Sequence, residues 1–268
     1  MRFADKVAVV TGGANGIGRA TVTLLANEGA RVVIADVDRA GMDNLVADLT
    51  AGGREVFGHY CDLTKPESVR EMVEATVARL GRLDILVNCA GGSGMTAYYA
   101  TEEGKSQKWA EEIPEAEWDA TLALNLTAVF LCCKYAIPHM KKQGGGKIVN
   151  FSSIGAEIGR ADSSFAYAAY AAAKAGVGGL TRHLATELGP FNINVNAVCP
   201  GGVLTERMVV RFRTDWAQNN EQVVLRSTPL RRRARPDEIA AAVAYLASEE
   251  ASFITGVTLD INGGRYMH

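Results

Sequence analysis

The feature of this chain that most constrains its fold is a regular alternation of short apolar runs with longer helical segments. Seven runs rich in apolar, often β-branched residues predict strands: VAVV at Val7, RVVIAD at Arg31, EVFGHYCD at Glu55, LDILVN at Leu83, GKIVNFSS at Gly146, INVNAVCP at Ile193 and VTLDI at Val257. Between them lie six segments with helical periodicity: Gly16–Glu28, Arg39–Leu49, Pro66–Leu80, Glu117–His139, Phe165–Glu187 and Pro236–Leu246. This alternation predicts a doubly wound α/β fold, a parallel sheet of about seven strands with right-handed crossovers and helices on both faces.

A single domain is predicted for residues 1–268, since 268 residues with 48% hydrophobic side chains can form one α/β core. Two long segments interrupt the alternation, near 92–116 after the fourth strand and near 202–228 after the sixth. Both follow the carboxyl end of a strand, where open α/β sheets bind their ligands. We therefore expect these segments to cover a substrate site.

The charge and cysteine content argue against several classes of partner. A net charge of −2 and the lack of a membrane-spanning stretch or signal peptide predict a cytoplasmic protein with no nucleic-acid or membrane partner. The basic cluster Arg231–Pro236 has the charge to bind phosphates, but it lies just before a predicted helix and is interpreted mainly as a solvated loop. The five cysteines lack the spacing of a disulfide framework or a zinc site, so no metal is expected: Cys61, Cys89, Cys132, Cys133 and Cys199.

A glycine-rich loop follows the first strand, in the sequence VVTGGANGIGRA. Its glycines are Gly12, Gly13, Gly16 and Gly18. Glycine permits a sharp turn and close approach of a ligand, and the helix that follows offers free N–H groups to a pyrophosphate. The loop has the strand before it and the helix after it that a dinucleotide site requires. A phosphate-binding P-loop is excluded because no Gly-Lys-Ser/Thr follows.

The second strand ends in an acidic residue, Asp36, 18 residues beyond Gly18. A carboxylate at this position can bind both hydroxyls of an adenosine ribose and repels a 2′-phosphate. Val37 follows it, and no basic residue lies between Gly12 and Gly18. These residues favour NAD over NADP; the alternative is a tight turn and an unrelated surface aspartate.

The stretch YAAYAAAK places Tyr167, Tyr170 and Lys174 near one face of a helix. Only Tyr170 lies one turn from the lysine. A nearby ammonium favours the phenolate, so the pKa of Tyr170 is expected to fall below its usual value, as an acid–base residue requires. The alternative is an alanine-rich helix that packs closely against a neighbour, with the tyrosines in the core.

Together these residues resemble the short-chain dehydrogenase/reductase family over essentially the whole chain. The matching motifs are TGGANGIG at the loop, CDL at Cys61, NCAG at Asn88, LALNLT, VNFSS, YAAAK, PGGVLT at Pro200 and PLRRRARPDE. The resemblance implies a Rossmann-like oxidoreductase fold with these cofactor contacts: Gly12, Asn15, Gly16, Ile17, Gly18, Asp36, Asp62, Leu63, Asn88, Ala90, Gly91, Tyr170, Lys174, Pro200, Gly201, Val203 and Thr205.

The resemblance also implies catalytic roles for four residues. Tyr170 is the predicted base in alcohol oxidation, or the acid in ketone reduction, and Lys174 lowers its pKa and holds the nicotinamide ribose. Ser153 is implied to hydrogen-bond the substrate oxygen. Asn125 is implied to hold a water that links Lys174 to solvent; the alternative is a helix residue that bonds neighbouring backbone.

The serine assignment stays open because Ser153 lies 17 residues before Tyr170, a longer spacing than in many family members. Ser152 and Ser164 are the other candidates. After Leu204, an amphipathic pattern predicts a lid over the substrate pocket, with packing on the core as the alternative. Its apolar residues are Met208, Val209, Phe212 and Trp216.

The predicted activity is hydride transfer between NAD and a secondary alcohol or ketone, ranked first as an alicyclic alcohol or cyclic diol. The alternatives are a 3-oxoacyl-thioester reductase and a non-catalytic NAD-binding regulator on the same fold. The partner is thus a small-molecule substrate. The resemblance further implies a homotetramer built partly on the helices that bear Asn125 and Tyr170.

Overall fold

The computed structural model describes residues 1–92, 110–158, 168–206, 208, 222 and 224–267. Within these residues seven strands form one sheet: β1 Val7–Thr11, β2 Arg31–Asp36, β3 Val56–Tyr60, β4 Ile85–Asn88, β5 Gly146–Phe151, β6 Ile193–Pro200 and β7 Thr258–Ile261. Neighbouring strands are all parallel, in the order β3-β2-β1-β4-β5-β6-β7. The predicted doubly wound sheet is confirmed.

The described helices are α1 Gly16–Asn27, α2 Arg39–Ala51, α3 Pro66–Leu80, α4 Glu115–Leu122, α5 Ala128–Gln143, α6 Ala168–Leu188 and α7 Pro236–Ala247. Local sequence sets several boundaries. Pro66 and Pro236 begin their helices, where a missing N–H costs nothing. Gly81 ends α3 with a φ of 80°, a conformation that favours glycine.

The segment predicted as one helix over Glu117–His139 begins earlier, ends later and is not regular throughout. Five residues of π-helix, Ala123–Thr127, separate α4 from α5. Single π turns inside helices are frequent at functional sites because they re-aim the side chains that follow. Asn125 lies in this turn, so the irregularity determines where its amide points.

The core lies on both faces of the sheet. Alternate strand residues divide between two buried clusters, one packed beneath α1, α2 and α7 and the other beneath α3, α5 and α6. Every residue of β1, β4 and β6 is buried, whereas β3 and β7 at the edges are partly exposed. This burial explains why the inner strands are mostly apolar.

One helical stretch of the described residues, Glu115–Gln143, is long and apolar enough by length and composition to cross a membrane. Its buried residues include Cys132, Cys133 and Met140, which share a cluster with Val69 and Met72 of α3. The apolar side of this stretch therefore packs in the core of the fold.

The interpretation of Arg231–Pro236 as a solvated loop is wrong for one residue. Arg233 is only 7% exposed, whereas Arg231, Arg232 and Arg235 are exposed. The cause is long-range: Ala234 forms a parallel bridge with Val203, and the Ala234 N–H donates to the Gly202 carbonyl at 3.0 Å. Pairing of this extended segment turns Arg233 inward, against Gly202.

Candidate active site

A cleft opens at the carboxyl edge of the sheet, where the strand order reverses. β1 pairs with β2 on one side and β4 on the other, so the connections after β1 and β4 diverge. Such a switch point is where open α/β sheets bind ligands. The cleft has a volume of about 260 Å³ and is lined by the ends of β4, β5 and β6 and by one face of α6.

The glycine loop forms one wall of this region. Gly12 has a φ of 64°, and a Cβ there would lie 2.8 Å from the Ala90 Cα. At Gly18 a Cβ would lie 2.0 Å from the Gly12 carbonyl oxygen. Asn15 precedes α1, but its side chain makes no capping bond to the helix; its amide nitrogen donates to the Asp38 carboxylate at 2.8 Å. The first turn of α1 therefore keeps N–H groups for an anion, as a pyrophosphate needs.

Asp36 is held rigidly at the end of β2. One carboxylate oxygen accepts from the Ala14 N–H at 3.0 Å and the other from the Asp38 N–H at 3.0 Å. The Asp36 carbonyl accepts from the Cys61 N–H, which brings Asp62 beside it. The Asp36 carboxylate keeps lone pairs for hydroxyl donors, so its acceptor oxygens fit an adenosine ribose.

Asp62 and Leu63 follow β3 at the same edge. The Asp62 carboxylate accepts from the Thr64 hydroxyl at 2.6 Å and lies 3.3 Å from the Lys65 ammonium. The Thr64 hydroxyl is the main cause that lowers the Asp62 pKa. Leu63 is buried in the cluster that packs against α3, α5 and α6.

The end of β4 places its residues on two different sides. Ala90 donates its N–H to the Thr11 hydroxyl at 3.2 Å, next to the glycine loop, and Gly91 lines the cleft. The Asn88 side chain does not line the cleft. It is buried in the core and donates to the Asn150 side chain at 2.8 Å. A cofactor contact predicted for Asn88 could therefore come only from its backbone.

Tyr170 and Lys174 both line the cleft from α6, whereas Tyr167 lies outside the described residues. The Lys174 ammonium is buried, donates to the Phe151 carbonyl at 2.8 Å and lies 5.8 Å from the centre of the Tyr170 ring. Burial lowers the pKa of Lys174 to about 8, against a smaller opposing effect of Cys89.

The prediction that the pKa of Tyr170 is lowered is wrong for this structure. Burial raises the pKa of the phenol and outweighs the Ser153 hydroxyl, which bonds it and acts in the other direction. The physical reason is that desolvation disfavours the phenolate, while the ammonium is directed at a carbonyl. The Tyr170 phenol is therefore protonated at neutral pH.

The structure separates the candidate serines. Ser152 is buried and donates its hydroxyl to the Lys174 carbonyl at 3.0 Å, a contact that fixes β5 to α6. Ser153 lies at the cleft, bonds the Tyr170 phenol and accepts from the Gly155 N–H at 3.1 Å. Ser164 lies outside the described residues. Only Ser153 of the two described candidates directs its hydroxyl at the tyrosine.

Asn125 connects the π turn to the floor of the cleft. Its amide oxygen accepts from the Gly92 N–H at 2.9 Å, and its nitrogen donates to the Thr121 carbonyl at 3.0 Å. A Cβ on Gly91 would lie 2.7 Å from this oxygen and 3.3 Å from the Lys174 ammonium nitrogen. These bonds agree with the alternative in which the Asn125 side chain bonds neighbouring backbone. Its role in holding a water stays a prediction.

The segment after β6 crosses the cleft toward the glycine loop. Pro200, Gly201 and Val203 line the cleft, and a Cβ on Gly16 would lie 3.1 Å from the Thr205 methyl carbon. Ile17 also lines it, from the first turn of α1. The predicted cofactor contacts on both sides of the cleft are thus close together.

Sequence reasoning missed several lining residues: Cys89, Gly202, Val224, Arg233 and Arg265. The NCAG motif contains Cys89. Burial raises the pKa of its thiol to about 12, so Cys89 lines the cleft as an uncharged residue. No local sequence pattern indicates that Arg233 or Arg265 lies at the cleft. Of the predicted lid, Met208 lines the cleft, and Val209, Phe212 and Trp216 lie outside the described residues.

Comparisons with known proteins agree with this geometry. A family model described as enoyl-(acyl carrier protein) reductase matches residues 12–265. The chain is 40% identical over 262 residues to cis-4-hydroxycyclohexanecarboxylate dehydrogenase of Sinomonas cyclohexanicum. The matched region covers 98% of this chain and 97% of that protein. It is 36% identical over 267 residues to 3-oxoacyl-[acyl-carrier-protein] reductase FabG of Thermotoga maritima, with 98% and 99% covered. Among solved structures, a 7α-hydroxysteroid dehydrogenase complexed with NADH and 7-oxo glycochenodeoxycholic acid superposes with a TM-score of 0.86 at 32% identity, with 98% and 95% covered.

Proposed function

Because the chain belongs to the short-chain dehydrogenase/reductase family of oxidoreductases, we propose that it transfers a hydride between NAD and a secondary alcohol or ketone. One observation carries the proposal: Ser153, Tyr170 and Lys174 line the same cleft, beside the glycine loop. A hydroxyl donor, an acid–base phenol and a buried cation are the groups that oxidation of an alcohol requires.

NAD is the proposed cofactor. Asp36 supports it, since its fixed carboxylate offers acceptors to ribose hydroxyls and would repel a 2′-phosphate. The glycine loop and the uncapped first turn of α1 would hold the pyrophosphate. When bound, the nicotinamide accepts or supplies the hydride.

The proton chemistry is assigned to Tyr170. In reduction its hydroxyl donates a proton to the forming alkoxide, and in oxidation the phenolate takes that proton back. Ser153 hydrogen-bonds the substrate oxygen and orients it toward the phenol, while Lys174 stabilises negative charge at the phenol and would hold the nicotinamide ribose. Since burial raises the Tyr170 pKa, the protonated form dominates at neutral pH, and alcohol oxidation should accelerate as pH rises.

An alicyclic secondary alcohol is the proposed substrate. The 40% identity to a dehydrogenase named for cis-4-hydroxycyclohexanecarboxylate supports this class. The relative named 3-oxoacyl-[acyl-carrier-protein] reductase supports the second candidate, a 3-oxoacyl-thioester reductase, which Asp36 disfavours if that reaction requires NADP. We further propose a single cytoplasmic domain and a homotetramer built partly on the helices that bear Asn125 and Tyr170.

The test is NADH formation across a panel of cyclic and linear alcohols, with Tyr170→Phe as the matched variant. The variant retains the ring and loses the transferable proton, so kcat should fall by about 10²–10⁴ while NAD affinity stays within twofold. A protein that binds NAD but oxidises none of the alcohols and reduces no matching ketone would be the non-catalytic regulator. Equal kcat for wild type and Tyr170→Phe would refute the assigned base.

A further inference from the structure

We propose that Tyr60 helps to select NAD over NADP, because its ring holds the Arg39 guanidinium away from the position that the 2′-phosphate of NADP would occupy. Tyr60 is thus a positioning residue that acts through Arg39. The inference deepens the proposed function and rests on it for the dinucleotide site. Selection of NAD then has two parts, repulsion of the 2′-phosphate by Asp36 and the withholding of a nearby cation.

The first argument is the position of Arg39 relative to the ribose site. Arg39 is the first residue of α2 and follows Asp36 by three residues. The Asp38 N–H donates to the Asp36 carboxylate at 3.0 Å, so the chain folds back over that carboxylate immediately before Arg39. An arginine near the ribose-binding acid is the kind of residue that accommodates a 2′-phosphate in dinucleotide sites. Arg39 is therefore a cation placed for this role.

The second argument is that Arg39 keeps its charge for an external anion. Its neighbour Asp38 is engaged elsewhere, since the carboxylate accepts from the Gly41 N–H at 3.0 Å and from the Asn15 amide at 2.8 Å. Among the residues that the structure describes, the Arg39 guanidinium contacts an aromatic ring and no carboxylate pairs with it. Its side chain is exposed, so a phosphate in solution can reach it.

The third argument is the side of Asp36 on which this cation is held. The strand order β3-β2-β1 puts Tyr60, at the end of β3, and the glycine loop, after β1, on opposite sides of Asp36. The Asp36 carboxylate accepts from the Ala14 N–H of that loop at 3.0 Å, so the ribose site lies toward β1. The Arg39 guanidinium carbon lies 4.0 Å from the centre of the Tyr60 ring, toward β3. The contact therefore draws the cation away from the ribose.

The strength of this contact sets the size of the effect. The Tyr60 side chain is 43% exposed, and a cation over an aromatic ring at an exposed site is favoured by a factor of about two to five. Arginine binds a phosphate through two parallel N–H bonds, so a released Arg39 has a strong alternative partner. Removal of the ring should therefore raise the affinity for a 2′-phosphate by about two- to fivefold.

The experiment compares ADP-ribose with 2′-phospho-ADP-ribose, two ligands that lack the nicotinamide and differ by the phosphate alone. Their affinities are measured by isothermal titration calorimetry at pH 7. Asp36→Ala is the background, because it removes a repulsion that would mask the effect. In this background Tyr60→Ala should raise the affinity for the phosphorylated ligand, relative to ADP-ribose, by about two- to fivefold. Tyr60→Phe retains the ring and should show no gain.

Two further variants test whether Arg39 causes the gain. Arg39→Met, added to the Asp36→Ala/Tyr60→Ala protein, should abolish it. Phe57→Ala in the Asp36→Ala background is the matched control, since Phe57 lies on the same strand under a comparable cation, with the Arg79 guanidinium carbon 3.8 Å from its ring centre. Phe57 lies three residues before the end of β3, so its loss should leave the ratio of the two affinities unchanged. Melting temperatures establish that each variant is folded.

Three outcomes would overturn the inference. One is an unchanged ratio of affinities in Tyr60→Ala. Another is a gain that persists after Arg39→Met, which would assign it to the lost bulk of the ring. The third is a weaker affinity of Tyr60→Ala for the phosphorylated ligand, which would mean that the ring presents Arg39 to the phosphate. Failure of the proposed function is a separate result: no alcohol is oxidised, yet both ligands bind and the ratio responds to Tyr60→Ala as expected.

Discussion

Replacing Lys174 with methionine should abolish alcohol oxidation and at the same time stabilise the folded protein at pH 7. The two side chains have similar volume and flexibility, so the cavity stays filled. The difference is the charge. Burial lowers the pKa of Lys174 from 10.5 to about 8, so the folded state holds the ammonium in an unfavourable environment.

The magnitude follows from this difference in pKa. At about 1.4 kcal/mol per pKa unit, burying the charged form costs on the order of 3 kcal/mol at pH 7. The variant also loses the 2.8 Å hydrogen bond to the Phe151 carbonyl. Leaving that carbonyl without its donor costs about 1–2 kcal/mol. Lys174→Met should therefore be more stable than wild type by about 1–2 kcal/mol, a rise in melting temperature of a few degrees.

The sign of the pH dependence distinguishes this explanation from improved packing. Between pH 8 and 10.5 the unfolded chain keeps the Lys174 proton and the folded protein has released it, so wild-type stability rises with pH in that window. The free-energy cost of burying the charged Lys174 ammonium is fully present below about pH 8. From pH 7 to pH 9.5 the stability advantage of the variant should shrink by about 2 kcal/mol.

The assay is urea unfolding of nucleotide-free wild type and variant at pH 7, 8, 9 and 9.5, compared at a common m value. Lys134→Met, at an exposed position of α5, is the control and should show no such change with pH. A Lys174→Met protein less stable than wild type at pH 7 would refute the reasoning, as would a stability difference that does not vary between pH 7 and pH 9.5.

Three further predictions test other parts of the site, two of them with a matched comparison variant. Ser153→Ala should lower kcat at least tenfold with little change in melting temperature. Ser152→Ala should instead lower the free energy of unfolding by about 1 kcal/mol, because it loses the hydrogen bond to the Lys174 carbonyl. The reverse pattern would exchange the roles of the two serines. Asp36→Ala should reduce the preference for NAD over NADP, measured as the ratio of the two kcat/KM values. A wild type with equal kcat/KM for both cofactors would contradict the role of Asp36 in selecting NAD. Gly18→Ala places a Cβ 2.0 Å from the Gly12 carbonyl oxygen, so NAD binding measured by calorimetry should weaken at least tenfold. Gly179→Ala, in α6 with open space around it, is the matched control and should bind NAD normally.

Patterns carried by neighbouring residues could be predicted from the sequence. Strand and helix alternation follows from side-chain periodicity, and the glycine loop follows from backbone conformations and contacts that only glycine permits. The spacing to Lys174 along a helix predicted that Tyr170 shares its face, and both residues line the cleft; the choice of Tyr170 over Tyr167 stays a prediction. These features depend on local geometry, which a single segment specifies.

What the tertiary structure decided were contacts between segments far apart in the chain. Asn88 turns into the core because Asn150 lies on the adjacent strand, and Ser152 bonds α6 while Ser153 faces the cleft. Arg233 is turned inward by the pairing of Ala234 with Val203, which no local pattern in the basic cluster indicates.

The electrostatics of the site depended on the tertiary structure in the same way. Helical spacing brought Tyr170 near Lys174 and predicted a lowered phenol pKa, but burial of both groups reverses that expectation. Spacing along a helix specifies which side chains are neighbours. Only packing specifies how much water remains around them, and desolvation of the Tyr170 phenol in this cleft outweighs the hydrogen bond with Ser153 that lowers its pKa.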